Sequence, residues 1–275
     1  MAPHTESLVS TDWLADHLDD PSVQPIEVDE DVAAYTSNHI PGAVGWNWKA
    51  DLHDGVRRDY IDGSRLHALL ERSGVSDDTT VVLYGGNNNW FAAYAYWLLK
   101  YRGFDAVRLL DGGRKKWELE ERPMTAATPD VEPGSLSPLG PDRPEIRALR
   151  DDVLASVGDV DFVDVRSPEE YSGEKLAPDH LPQEQPYVGG HIPGAHNIPW
   201  SKAAAEDGSF RPVEELRELY ADVLDGRDVV AYCRIGERSS HTWFVLHELL
   251  GKENARNYDG SWTEYGSLVG APVEK

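Results

Sequence analysis

His39-Ile40-Pro41-Gly42-Ala43 and His191-Ile192-Pro193-Gly194-Ala195 are one pentapeptide written twice, 152 positions apart. The likeness extends outward on both sides. Trp48 matches Trp200 at the same offset, and upstream Val28-Asp29 matches Val163-Asp164 at a smaller one, so the second copy carries an insertion near Gly173 to Tyr187, read as a loop. Downstream, a block aligns without gaps at an offset of 148: Val81-Val82-Leu83-Tyr84 with Val229-Val230-Ala231-Tyr232, Gly103 with Gly251, Asp111-Gly112 with Asp259-Gly260, and Trp117 with Tyr265. Self-similarity on this scale implies two homologous domains, and 275 residues suits two cores of ordinary size.

Each copy has the same grammar. Thr79 to Tyr84 and Asp228 to Tyr232 are short β-branched apolar runs of the kind that form buried strands, and a turn and an apolar-striped helix follow each. In the second copy Trp243, Leu246, Leu249 and Leu250 recur at helical spacing, and Gly251 stands where a left-handed C-cap would end the helix. Strand alternating with helix predicts an α/β fold: two tandem domains, each a mainly parallel sheet flanked by helices. The domains are expected at 1–125 and 145–275. Between them 126–144 is read as a linker, because Pro123, Pro129, Pro133, Pro138, Pro141 and Pro144 interrupt helix and strand alike around it.

Composition narrows the class. Apolar residues make up 40% of the chain and there are 9 Trp, enough for both cores and too much for disorder. The single cysteine, Cys233, excludes an intrachain disulfide, and no Cys/His cluster has the spacing of a structural zinc site. No metal and no organic cofactor is expected. The first 20 residues show no basic start or apolar run, and no stretch is apolar for the length of a membrane span, so the reading is a soluble cytoplasmic protein with no membrane association. Acidic residues outnumber basic ones 49 to 26, for a net charge of −23, which argues against a nucleic-acid partner. Repulsion on this scale is relieved by salt, and a source with high internal salt is the expectation drawn from it.

Duplicated domains share a scaffold, so chemistry is sought where equivalent positions diverge. After the matched strand the first copy reads Gly85-Gly86-Asn87-Asn88-Asn89-Trp90, and the second reads Cys233-Arg234-Ile235-Gly236-Glu237-Arg238. The second version sets a thiol at the carboxyl end of a strand, in a loop opening onto a helix, where open α/β sheets bind ligands. Backbone N–H groups at the helix start, with Arg234 and Arg238, would favour a thiolate and bind an anion.

Tyr232-Cys233-Arg234-Ile235-Gly236-Glu237-Arg238-Ser239-Ser240 resembles the active-site loop of thiosulfate sulfurtransferases, the tandem-domain rhodaneses. The two His-Ile-Pro-Gly-Ala segments and Asn257-Tyr258-Asp259-Gly260-Ser261-Trp262-Thr263-Glu264-Tyr265 are also similar to that family, so the resemblance covers nearly the whole chain. It implies an inactive first domain and a catalytic second one. Cys233 would attack the outer sulfur of thiosulfate, expel sulfite, and pass the resulting persulfide sulfur to a thiophilic acceptor such as cyanide, or to an acceptor protein. The loop from Cys233 through Ile235 and Glu237 to Arg238 would supply backbone donors, with Gly236 giving the close turn. Arg234 and Arg238 would grip the sulfonate, one of them held outward by Asp164 at the end of a predicted strand.

Arg166 has Asp31 as its equivalent in the first copy, a reversal of charge that marks it as a candidate anion contact. The sequence departs from the animal enzymes in lacking a basic residue near Glu170. His39 and His191 occur in both halves and are read as shared turn residues, not bases. Trp262 and Tyr265 are likewise read as packing. Two other functions are weighed. A phosphatase loop has five residues between Cys and Arg, whereas four separate Cys233 from Arg238, so the ring is one short for a phosphoryl group. A persulfide carrier, or a 3-mercaptopyruvate sulfurtransferase, would use the same loop.

Overall fold

A computed structural model describes residues 6–178 and 184–275. The chain divides into two compact units, the first formed by 6–143 with 206–210 and the second by 144–205 with 211–275.

The first unit holds a five-stranded sheet, β1 (Leu8–Val9), β2 (Val23–Asp29), β3 (Val44–Asn47), β4 (Thr80–Tyr84) and β5 (Val107–Leu110), in the order β1-β5-β4-β2-β3 with every pair parallel. The second holds β6 (Asp161–Asp164), β7 (His196–Asn197), β8 (Val229–Tyr232) and β9 (Ala255–Tyr258) in the order β7-β6-β8-β9, again all parallel. Matched by sequence, β2, β3, β4 and β5 correspond to β6, β7, β8 and β9, so the duplicated text folds into duplicated sheets. Both middle strands, β4 and β8, are buried, as parallel strands covered on two faces must be.

The repeated pentapeptide does the same work in each unit. The backbone N–H of Ile40 donates to Tyr84 Oη, and that of Ile192 to Tyr232 Oη, both at 3.1 Å. His39 Nδ1 bonds Tyr35 O and His191 Nδ1 bonds Tyr171 O, both at 2.9 Å, and each imidazole stacks on that tyrosine. Each pentapeptide is also bridged by a later segment, His39 by Thr125 and His191 by Glu274. Trp117, Trp262 and Tyr265 are fully buried core residues.

Three features differ from the reading of the sequence. The proline-rich stretch is laid along the first unit: Gly134 N–H donates to Glu71 O (2.8 Å), Ser137 N–H to Asp77 Oδ1 (2.7 Å) and Arg143 N–H to Tyr101 O (2.7 Å). Proline removes some donors, but the residues between the prolines keep theirs and use them. Residues 206–210 belong with the first unit, through Lys116 Nζ to Asp207 (2.5 Å) and Phe210 N–H to Asp111 Oδ1 (2.9 Å). The helix after β8 is α-helical over Glu237–Phe244 and widens to a π-turn over Val245–Leu249 before Gly251 takes its left-handed φ of 72°. Of the insertion near Gly173 to Tyr187, residues 179–183 lie outside the described residues.

Candidate functional site

Strand β8 ends at Tyr232 and the chain turns at once into Cys233. The loop closes on itself because Gly236 takes φ 101°, a conformation that L side chains avoid, and because a Cβ there would stand 2.8 Å from Asp259 Cα. That turn aims the Gly236 N–H at Cys233 Sγ, 3.1 Å away. The Gly236 carbonyl is held from below by Ser240 Oγ (2.7 Å) and Ser239 Oγ (3.1 Å), and Ser239 Oγ also lies 2.6 Å from Asn257 Oδ1. Asp259, packed on Gly236, is clamped by Arg147 through two bonds of 2.8 Å. Cys233 N–H donates to Ser261 Oγ (3.0 Å), and Trp262 and Thr263 N–H groups donate to the carbonyls of Cys233 and Arg234 at 3.0 Å. The segment from Asn257 to Thr263 therefore forms the floor of the loop.

Cys233 has a relative exposure of 0%. Of the six residues from Cys233 to Arg238, five are buried and Ile235 is half-buried. Burial raises the Cys233 thiol above its ordinary range, the neighbouring Glu237 charge adds to this, and Arg238 and Ser239 oppose it without reversing it. Glu237 is buried as well, and the thiol donates to its Oε2 at 3.4 Å. The expectation was that backbone N–H groups at the helix start, with Arg234 and Arg238, would favour a thiolate; burial shifts the thiol the other way. Arg234 is buried in the loop.

The charges pair differently from the expectation. Arg238 is bound by both oxygens of Glu170, at 2.9 and 3.1 Å, and both side chains are buried. Burial pushes Glu170 up, but the Arg238 hydrogen bonds and the Arg238 and Arg166 charges more than offset it, so its carboxyl lies below the usual range. Asp164 pairs with Arg166. It accepts from Arg166 Nε (2.9 Å) and Nη2 (2.5 Å), and Arg166 Nη2 also donates to Gly190 O (2.7 Å). The Arg166 guanidinium lies over the Trp262 ring, 4.7 Å from its centroid, and has 0% exposure. A substrate contact was expected of Arg166; its geometry is that of a staple between β6, the chain before the second pentapeptide and the aromatic core.

Glu170 is the residue that sequence reasoning missed as a partner. The signal was Ser167-x-x-Glu170, a capping box in which Ser167 Oγ accepts from Glu170 N–H and Ser167 N–H donates to Glu170 Oε2, both at 3.2 Å. The box fixes where the carboxylate starts; only the fold brings Arg238 to it.

In the first unit the corresponding loop holds no nucleophile. Asn87, Asn88 and Asn89 all have positive φ (47°, 53° and 66°), and a Cβ at Gly85 would stand 2.4 Å from Val28 O. Asp29, the counterpart of Asp164, accepts from Gly86 N–H at 2.9 Å; its own neighbour at the position of Arg166 is Asp31. Burial first, and the Glu27 charge after it, push Asp29 up to about 7 against the Gly86 bond. No group of three or more His, Cys, Asp or Glu able to hold a metal ion occurs among the described residues, and no helix there is long and apolar enough to cross a membrane.

The rhodanese-like domain family matches residues 10–120 and again 149–268. The chain belongs to the rhodanese family. This rhodanese is 59% identical over 272 residues to a Mycolicibacterium smegmatis protein named "Putative thiosulfate sulfurtransferase", with 98% of each chain covered. It is 53% identical over 280 residues to the "Sulfur carrier protein TtuD" of Thermus thermophilus, covering 99% of this chain and 98% of that one. Among solved structures, YnjE superposes with a TM-score of 0.83 at 25% identity, over 99% of this rhodanese and 69% of YnjE. An anaerobic ergothioneine biosynthesis enzyme from Chlorobium limicola shares the fold at a TM-score of 0.83 and 24% identity, over 99% of this chain and 71% of that one.

Proposed function

We propose that this rhodanese is a thiosulfate sulfurtransferase working through a persulfide on Cys233. The observation that carries the reading is the loop itself: a buried thiol at the carboxyl end of β8, met at 3.1 Å by the N–H of a glycine whose backbone only glycine adopts readily, in one of two otherwise equivalent loops. The thiolate attacks the sulfane sulfur, the sulfur–sulfur bond of the donor breaks, and sulfite departs with its electron pair. The N–H of Gly236 then stabilises the charge carried by the persulfide. A thiophilic acceptor, cyanide in an assay, removes the outer sulfur and returns the thiol.

Arg238 is engaged by Glu170, and we assign the contact to a sulfonate, and with it the preference for thiosulfate over 3-mercaptopyruvate, to Arg234 in the same loop. Arg234→Gly is expected to lower kcat/KM for thiosulfate by about ten- to a hundredfold, the equivalent of one charge-assisted hydrogen bond, with a smaller loss on 3-mercaptopyruvate. Thiocyanate formation with each donor measures this, and a wild-type preference for 3-mercaptopyruvate would reject the donor assignment. A second reading is favoured by the likeness to the sulfur carrier: the same persulfide delivered to a partner protein. Sulfur that reaches an acceptor protein but forms thiocyanate only slowly would select it.

A further inference from the structure

The side chain of Glu237 has no part in the reaction as described above, yet its carboxylate is aimed at the nucleophile, which the Ser261 hydroxyl also approaches at 3.9 Å. It is 1% exposed, its Oε2 lies 3.4 Å from Cys233 Sγ, and its Oε1 lies 3.7 Å from Arg238 Nε. The two residues stand four positions apart across the turn at Gly236, so the helical phase that begins at Glu237 presents this carboxylate to the sulfur. A carboxylate beside a nucleophile that binds a dianion is a liability if its role is passive, because it repels both the thiolate and the donor. Retaining it there calls for a role in which the charge leaves it during the reaction.

We infer that Glu237 is the general base for Cys233 and the carrier of its proton to the departing group. The inference rests on the persulfide reading. In the resting state the thiol holds the proton and Glu237 the charge. As the donor arrives, the S–H proton passes to Glu237 Oε2, and the freed electron pair on Sγ forms the bond to the sulfane sulfur. The donor's sulfur–sulfur bond breaks, its electron pair leaves with sulfite, and the proton passes from Glu237 to that leaving group. Thiol plus thiosulfate dianion become persulfide anion plus hydrogen sulfite, so atoms and charge balance with no other reactant. While the proton sits on Glu237, the donor faces Arg234 with no carboxylate charge from that residue. A base held at hydrogen-bonding range typically supplies on the order of 100- to 10,000-fold.

The surrounding groups suit a relay confined to this pair. Arg238 is neutralised by Glu170, and Arg166 by Asp164. Asp259, under the turn, is occupied by Arg147. His241, on the same helix, is held neutral, its pKa pushed down to about 3 by burial. Of these groups, Glu237 is the one placed to take the thiol proton at neutral pH.

Single-turnover sulfuration by thiosulfate, followed by rapid quench and intact mass across roughly pH 6 to 9, tests this, using the wild type, Glu237→Gln and Glu237→Asp. The wild type should react at a rate nearly independent of pH, because the proton passes from the thiol to Glu237 to the leaving group without exchange with solvent. Glu237→Gln should be about a hundredfold slower at the acid end and recover as hydroxide takes over the proton, with the same final persulfide stoichiometry. Glu237→Asp, which keeps the carboxylate but withdraws it, should fall between the two and keep the flat profile. If Glu237 acts only through its charge, Glu237→Gln removes a repulsion and reacts as fast as the wild type or faster at every pH; that result overturns the relay. So does a Glu237→Asp profile that follows the Gln variant. A wild type that takes up no sulfur overturns the persulfide reading itself, a separate outcome.

Discussion

The two loops that follow β4 and β8 begin from equivalent buried strands and end in different chemistry. Around Cys233, three charges that burial would penalise are paired: Arg238 with Glu170, Arg166 with Asp164, and Arg147 with Asp259. Around Gly85, the counterpart of Arg166 is an acid, and Asp29 is left with a backbone N–H from Gly86 and an upward-shifted pKa of about 7. The comparison teaches that the unit carrying Cys233 is distinguished by more than a thiol. Three of its charge pairs are closed in this way, and Glu237 stands beside the sulfur, where burial and that carboxylate hold the thiol above its ordinary range. The first unit keeps the shape and has lost that balance.

The largest expected effect comes from breaking one of the pairs. Glu170→Ala strands Arg238 in a site where both partners are nearly inaccessible to water, and removing one member of a buried ion pair typically costs about 3 to 5 kcal/mol. Chemical denaturation should show that loss, and sulfuration of Cys233 should slow because the loop loses the anchor at its far end. Glu170→Gln, which keeps a hydrogen-bond acceptor, should recover part of the stability. If Glu170→Ala is as stable as the wild type, the pair does not hold the loop.

A smaller effect of opposite sense is expected at Asp29. Its folded-state pKa of about 7 lies above the ordinary 3.8, so between those values the folded state binds the proton that the unfolded chain has released. Stability from this residue is therefore present at low pH and lost as pH rises from about 4 to about 7. Asp29→Asn should remove that slope and leave the protein about 2 to 4 kcal/mol more stable near pH 8 than the parent, measured by denaturation at a series of pH values. An unchanged pH dependence would show that Asp29 ionises normally and that the first loop is as well balanced as the second.

The smallest effect is general. With a net charge of −23, both units should gain from screening, and the melting temperature should rise by roughly a few degrees between low salt and molar KCl as the Debye length shrinks from about 10 Å to about 3 Å. A flat or falling melting temperature would mean that local pairs, not net repulsion, govern the electrostatics.

Much of this was legible in the sequence because it depends on local pattern. The repeat located both units, the β-branched runs marked β4 and β8 to within a residue, and the lone cysteine in a strand-to-helix turn marked the candidate site. His39 and His191 were readable as turn residues because both halves carry them. The pairings were not legible, since a carboxylate's partner is set by where distant segments cross. Asp164 sits two residues from Arg166 and binds it, while Glu170 reaches Arg238 across 68 positions. The attachment of 206–210 to the first unit and the strap of 126–143 escaped for the same reason: neither has a periodic signal, and both are held by hydrogen bonds and ion pairs to groups distant in sequence.

The central claim is that the second loop, and not the first, accepts sulfur. Intact mass of the wild type, Cys233→Ser and Gly85→Cys after incubation with thiosulfate and no acceptor tests it most directly. The account predicts one added sulfur atom on the wild type, released by cyanide, and none on Cys233→Ser, whose hydroxyl is a far weaker nucleophile. Gly85→Cys should still gain only one sulfur, on Cys233, because a side chain at 85 meets Val28 O at 2.4 Å and nothing there balances a thiolate. Sulfur retained on Cys233→Ser, or a second sulfur on Gly85→Cys, would contradict it.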